Sequence, residues 1–288
     1  MRKASAQFAP SALTLIRMSR ARFPRVPQVA CFDTGFHADL PDLARVLPIA
    51  RELRRDELQR YGFHGLSCES ITQQFGTNLP QRLIIAHLGN GASITAVRNG
   101  RSIDTSMGLT PTGGIVMGTR SGDLDPGVML YLMRVAKVDA VALEAQLNHR
   151  SGLLGVSGVS GDLRQLHEAA VTNVDAQLAI RMFCQSACKQ IAAMISVLDG
   201  VDLLVFTGGI GENDGAVRAE ICRGLSWIGI RLDPALNQPA GSPSNRTTVG
   251  PIHDPASRCA VRVLASQEDT QIARHTFNLL KTADADPS

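Results

Sequence analysis

The chain has 288 residues, 44% of them hydrophobic and 19% charged, an ordinary globular composition with room for one large or two moderate domains. Lys and Arg total 29 against 26 Asp and Glu, a formal net charge of +3 that is too small to argue for a nucleic-acid or membrane-surface partner. No apolar run is long enough to cross a bilayer or to form a convincing signal peptide.

Arg2, Lys3, Arg17, Arg20, Arg22 and Arg25 all precede the first acidic residue, Asp33. Such an Arg- and Ser-rich start imitates a transit peptide, although Ser11 to Arg22 reads equally well as an ordinary helix. Asp33 stands beside apolar residues and a tight turn in CFDTGFH, and His64 lies between glycines in RYGFHG. Taken singly, these are a capping Asp and a structural His. Arg82 to Ser106 carries the clearest β signal. Leu83 to Ala86 is a buried-type strand, Ser93 to Val97 alternates, and Asn99-Gly100 is a two-residue hairpin turn leading to Arg101–Asp104. The glycine-bearing turn His87 to Gly91 joins the first two strands.

Gly118 to Pro126 (GTRSGDLDP) places a permanent cation, Arg120, in a glycine-flanked loop. Asp125 reads as an N-cap with Pro126 at the first helical position, and the helix runs to Val135. Gly152 to Asp162 is a second glycine-rich connection, delivering Asp162 to a helix start with Arg164 in its first turn. Thr172 to Leu198 has the apolar spacing of a long helix ended by Gly200. Leu203 to Phe206 is a buried strand that enters the glycine loop Thr207 to Asn213, and a helix with Val217, Ile221 and Leu225 on one stripe follows. Asn237 to Thr248 is a loop, Val261 to Leu264 a last strand and Gln267 to Leu280 a last helix.

A hairpin followed by helices alternating with buried strands indicates a layered α/β domain. Glycine serves turn geometry more often than ligands, yet three such loops together with Arg120 favour a nucleotide's phosphates. The lysines are Lys3, Lys137, Lys189 and Lys281, none in a glycine loop, so phosphate must meet Arg, His, backbone N–H groups or a metal. The cysteines Cys31, Cys68, Cys184, Cys188, Cys222 and Cys259 form no C-x-x-C pair, and a reducing cytoplasm is expected.

Val26 to His37, Arg60 to Ser67, Ile84 to Gly108, Gly118 to Pro126, Ser151 to Gly158 and Phe206 to Asn213 together resemble the acetokinase family of acyl kinases. The resemblance implies an α/β, actin-like and sugar-kinase-like fold of two lobes, with the first lobe largely missing. Residues 1–33 would be its remnant (Phe8-Ala9-Pro10 onward matching its last helix), 34–266 the nucleotide-binding second lobe, and 267–288 a C-terminal helix returning toward the first. By the same resemblance Asp33, His64 and Arg120 are catalytic. His87, Leu88, Gly89, Asn90, Gly91, Asp162, Leu163, Arg164, Gly208, Gly209, Ile210, Gly211 and Glu212 bind ATP. Phe63 and Pro111 wall the acyl pocket, and Glu268 attends Mg²⁺ or Mn²⁺. Cys68 departs from the pattern, standing where the family usually has a second histidine.

The implied reaction moves the γ-phosphoryl group of ATP reversibly to acetate, with propionate or butyrate as alternative acceptors and a homodimer as the assembly. A carboxylate acceptor is already ionised at neutral pH, so the work is charge neutralisation rather than proton abstraction. Asp33 would therefore orient the metal or its water, since an ordinary Asp is a poor base at pH 7. The competing reading from another class is a catalytically incompetent remnant that at most binds nucleotide.

Overall fold

The computed structural model describes residues 10–238 and 250–285. Phe8, Ala9 and most of the expected loop after Asn237 lie outside the described residues. Helix α1 (Pro10–Arg22) leads, its Leu13, Leu15, Ile16 and Met18 exposed. The short α2 (Asp42–Arg45) and then α3 (Gly65–Phe75) precede the sheet.

Strands β1 (Arg82–Leu88), β2 (Ala92–Arg98) and β3 (Arg101–Thr105) form the expected meander. Asn99 and Gly100 turn it at φ of 50° and 80°, the left-handed pair that a two-residue hairpin requires. Helices α4 (Pro126–Arg134), α5 (Ala140–His149), α6 (Gly152–Ser157), α7 (Leu163–Ala169) and α8 (Val174–Leu198) follow. Asp125 caps α4 through the Gly127 N–H as expected, and Asn173 caps α8 through the N–H groups of Asp175 and Ala176. Strand β4 (Leu203–Thr207), helices α9 (Gly208–Asn213) and α10 (Gly215–Arg223), strands β5 (Gly250–Pro251) and β6 (Ala260–Val263) and helix α11 (Glu268–Ala285) complete the order.

The six strands lie in one sheet, ordered β3-β2-β1-β4-β6-β5. β1, β4 and β6 run parallel, while β2 and β5 are antiparallel to their neighbours. Side-chain alternation along β1 divides the core. Ile84, Ala86 and Leu88 pack with Phe183, Ala187 and Ile191 of α8 and Ile221 of α10. Leu83 and Ile85 face Cys68 and Ile71 of α3 on the other side. Helices therefore cover both faces, and the turns after β1 and β4 emerge side by side at the strands' C-terminal ends.

Two expected loops are partly helical. Gly208 alone in its run has a positive φ, 78°, and the chain coils from there into α9. The Glu212 carboxylate stabilises that turn by accepting from the Gly208 N–H at 3.0 Å. Gly152 likewise opens α6 at φ 60°, so its glycine-rich segment is helix first and loop second.

Candidate active site

Asp33 builds the first wall of the site. Its carboxylate accepts from the backbone N–H groups of His64 at 2.7 Å and Leu66 at 3.2 Å, and its carbonyl accepts from Gly65 N–H at 2.7 Å. Those are the orphan donors at the start of α3, so Asp33 caps that helix from a distance. A side chain at Gly65 would overlap the Asp33 carbonyl oxygen. The clamp holds His64 in the left-handed region, at φ 59° and ψ 28°. His37, buried behind this loop, contacts the Phe63 carbonyl through Nε2 at 3.1 Å and the Ser102 hydroxyl through Nδ1 at 2.8 Å. Arg60 ties the same loop to the end of β3 by donating to the Thr105 and Met107 carbonyls.

His64 is thereby pointed at the turn after β1. Its Nδ1 lies 3.0 Å from the Ser93 hydroxyl, and its ring stacks on His87 with centroids 4.2 Å apart. Arg120 reaches the same place from the GTRSGDLDP loop, anchored by a 3.1 Å hydrogen bond from Nη1 to the Pro111 carbonyl. A Cβ on Gly91 would lie 3.2 Å from both Arg120 Nη1 and His64 Nε2. The guanidinium and the imidazole thus converge on one point above a residue without a side chain.

Burial, reinforced by the Arg120 charge, pushes the His64 pKa down to about 4. Burial and the neighbouring His64 push His87 down to about 3. Both rings are neutral at physiological pH, leaving Arg120 as the cation of the cluster. Burial lowers the Arg120 pKa as well, from a value so high that the proton stays.

The glycine turns meet as well. Gly118 N–H donates to the Asn90 carbonyl at 3.2 Å, and a Cβ on Gly161 would press on the Gly118 carbonyl at 2.8 Å. A Cβ on Gly208 would meet the Leu88 carbonyl at 2.8 Å and His87 Nε2 at 3.2 Å. Between these turns lies an open cleft of about 830 Å³ lined by Gly89, Asn90, Asp162, Leu163, Arg164, Gly209 and Ile210, all expected from the sequence. Leu88 and Gly211 sit in the packed interior beneath it. Glu212 turns away from the cleft, toward the N–H groups of Gly208 and Ser266. Asp162 caps α7 and pairs with Arg164 at 2.6 Å.

Phe63 precedes His64 in the chain and packs against the main core, and Pro111 meets Arg120 through its carbonyl. Glu268 opens α11 and accepts from Ser266 Oγ at 3.1 Å. Burial raises its pKa, against the Ser266 hydrogen bond and with a smaller push from the Asp33 charge. Cys68 is fully buried with its sulfur 3.6 Å from Thr95 Oγ1, and burial pushes the thiol up to about 12, which removes it from acid–base chemistry.

Sequence reasoning did not single out Ser93, Ser67, His167, Asn213 or Asp214. Ser67 Oγ lies 2.8 Å from His87 Nδ1. His167, Asn213 and Asp214 line the cleft, with His167 Nε2 2.8 Å from the Asp214 carboxylate. Ser67 and Ser93 fall within or beside the quoted motifs, but a serine there signals nothing until its ring partner is placed.

The sequence profile described as "Acetokinase family" matches residues 3–274. The acetate kinase of Thermosynechococcus vestitus is 47% identical over 267 residues, covering 89% of this chain and 62% of that protein. That of Acaryochloris marina is 44% identical, covering 93% and 67%. The crystal structure of Porphyromonas gingivalis acetate kinase superposes with a TM-score of 0.86 at 36% identity, covering 94% of this chain and 68% of that one. A propionate kinase from Francisella tularensis gives 0.84 at 39% identity, covering 92% and 67%. The chain thus spans about two thirds of the length of the relatives it matches. These structures bear out the actin-like α/β expectation over the region shared. With the motifs, the fold and the profile in agreement over nearly the whole chain, it belongs to the acetokinase family.

Proposed function

We propose that this chain forms the nucleotide-binding lobe of an acyl kinase that moves the γ-phosphoryl group of ATP reversibly to acetate. The observation that carries the reading is the convergence of Arg120 and His64 over Gly91, beside the cleft of glycine turns. On this reading the backbone turns at Gly89–Gly91 and Gly208–Gly209 receive the phosphates, and Asp162 to Arg164 lie toward the nucleoside. The cation and the neutral imidazole stabilise charge on the phosphoryl group in transit, while Phe63 and Pro111 border the acyl group. Residues 34–266 make up this lobe, the preceding residues belong with the first lobe, and residues from 267 on return toward it.

Asp33 and Glu268 suit a divalent cation in their donor chemistry: two hard oxygen ligands, with the Asp33 charge felt at Glu268. Among the described residues no group of three or more His, Cys, Asp and Glu forms a closed metal cage. Mg²⁺, held by one or two carboxylates and substrate phosphates, supplies charge neutralisation of those phosphates. Asp33 holds the His64 loop through its backbone contacts and keeps carboxylate lone pairs for such an ion; it does not act as a base.

An acyl-hydroxamate assay on the purified chain with ATP, Mg²⁺ and acetate tests the reading. Turnover that falls at least 100-fold in Arg120→Ala supports it. Saturable ADP binding with no turnover under any acceptor instead identifies a nucleotide-binding remnant. Propionate and butyrate belong in the same assay because a propionate kinase shares the fold and 39% identity. One methylene in an apolar pocket shifts discrimination by roughly 1–3 kcal/mol. The reading further carries a homodimer, which sedimentation tests, and a cytoplasmic setting, in keeping with six free cysteines. No described helix is long and apolar enough to cross a membrane.

A further inference from the structure

We propose that Ser93 is a positioning residue that fixes His64 as its Nε2–H tautomer, so that the ring offers a hydrogen-bond donor at the point where Arg120 also points. Ser93 lies in β2, directly opposite His87 of β1, and is fully buried. Its hydroxyl has one partner among the described residues, His64 Nδ1 at 3.0 Å.

Two proton arrangements satisfy that distance. If Nδ1 carried the proton and donated to Ser93, the buried hydroxyl proton would have no acceptor. The imidazole would also turn a bare lone pair on Nε2 toward the guanidinium, yet Arg120 gives its hydrogen bonds to the Pro111 carbonyl and the Met117 sulfur instead. If the Ser93 hydroxyl donates to Nδ1, both of those buried groups are paired, and Nε2–H is left to face the position above Gly91. The tautomer then decides whether the neutral ring presents a donor or an acceptor at that position. An anion arriving at that position then meets two donors, one charged and one neutral, and a mis-set tautomer would replace one of them with a repelling lone pair. Fixing a functional histidine through its second nitrogen is a general device of metal and acyl-transfer sites.

The consequence for turnover rests on the phosphoryl-transfer reading; the tautomer does not. The test is long-range ¹H–¹⁵N correlation of the ¹⁵N-histidine-labelled chain at pH 7, with the His64 signals assigned by their loss in His64→Asn. The wild type is expected to show protonated Nε2 and bare Nδ1. In Ser93→Ala the His64 signals should shift to a mixture of tautomers, and Ser93→Thr should restore the single pattern. In the hydroxamate assay Ser93→Ala should lower kcat about 10-fold, leave KM for ATP and the carboxylate within about twofold, and recover with Thr. A wild-type spectrum with Nδ1 protonated overturns the assignment, even where Ser93→Ala fails to fold. Ser93→Ala with an unchanged Nε2–H signal overturns it too. If no form of the chain turns over substrate, the proposed activity falls while the spectrum still decides the tautomer.

Discussion

Individual side chains in this lobe are held by uneven electrostatics, and acid should expose that. His37, His64 and His87 are buried neutral, and burial holds each below its ordinary pKa. Their unfolded forms take up protons below about pH 6.5 while the folded forms do not, so their full stabilisation is present above that pH. It declines as pH falls through the window from about 6.5 to the folded values near 4 and 3. Urea titrations at pH 7 and pH 5 should differ by roughly 2–4 kcal/mol, and His87→Asn should flatten the slope. Arg218 is a second case. Its guanidinium is fully buried and donates to the carbonyls of Gly211 and Glu212 at 2.9 Å and to Asn237 Oδ1 at 2.8 Å. Replacing it by Met strands those acceptors where α9 ends, and thermal unfolding should report a loss of about 3 kcal/mol.

Elements were more legible in the sequence than the contacts between them. The β1–β2–β3 meander announced itself because Asn99-Gly100 has turn chemistry and the flanking residues alternate. Helix α8 did so because its apolar spacing persists over 25 residues. The helices α6 and α9 were hidden by their glycines. Gly211 is helical and packs where a Cβ would come within 3.4 Å of the Phe206 carbonyl carbon, a tertiary reason that propensity cannot anticipate. Helix α3 was equally hidden, because its cap is the carboxylate of Asp33, far away in the chain, rather than a neighbouring residue. Helix α8 has a local cap instead, found in the structure, and Asn173→Ala should cost about 1 kcal/mol, read as a lower Tm with the activity unchanged. By contrast, Gly65→Ala forces a methyl onto the Asp33 carbonyl oxygen, and it should release the His64 loop as well as destabilise α3.

For the molecule as a whole, the site is a property of the sheet. β1 and β4 run parallel side by side, so the turns that follow them meet, and loops from positions 33, 64, 118 and 161 close around that meeting point. The motifs named most members of this cluster individually, while their juxtaposition came from strand order, which no single motif encodes. Because the cleft is assembled from segments distant in the chain, nucleotide should brace the lobe globally. ADP at a hundredfold excess over its Kd should add about 2.7 kcal/mol, visible as a rise of several degrees in Tm, and Asp162→Ala should diminish that rise.

Gly91 gives that assembly a point of access for an experimenter. Its backbone is outside the left-handed region, so alanine is tolerated there, and the added methyl would occupy the spot at which the guanidinium and the imidazole aim. One carbon atom would then press on both side chains, which must give by a few tenths of an ångström, and would fill the place proposed for the phosphoryl group. Gly91→Ala should lower Tm only slightly, yet on the proposed activity turn over acetate at least tenfold more slowly.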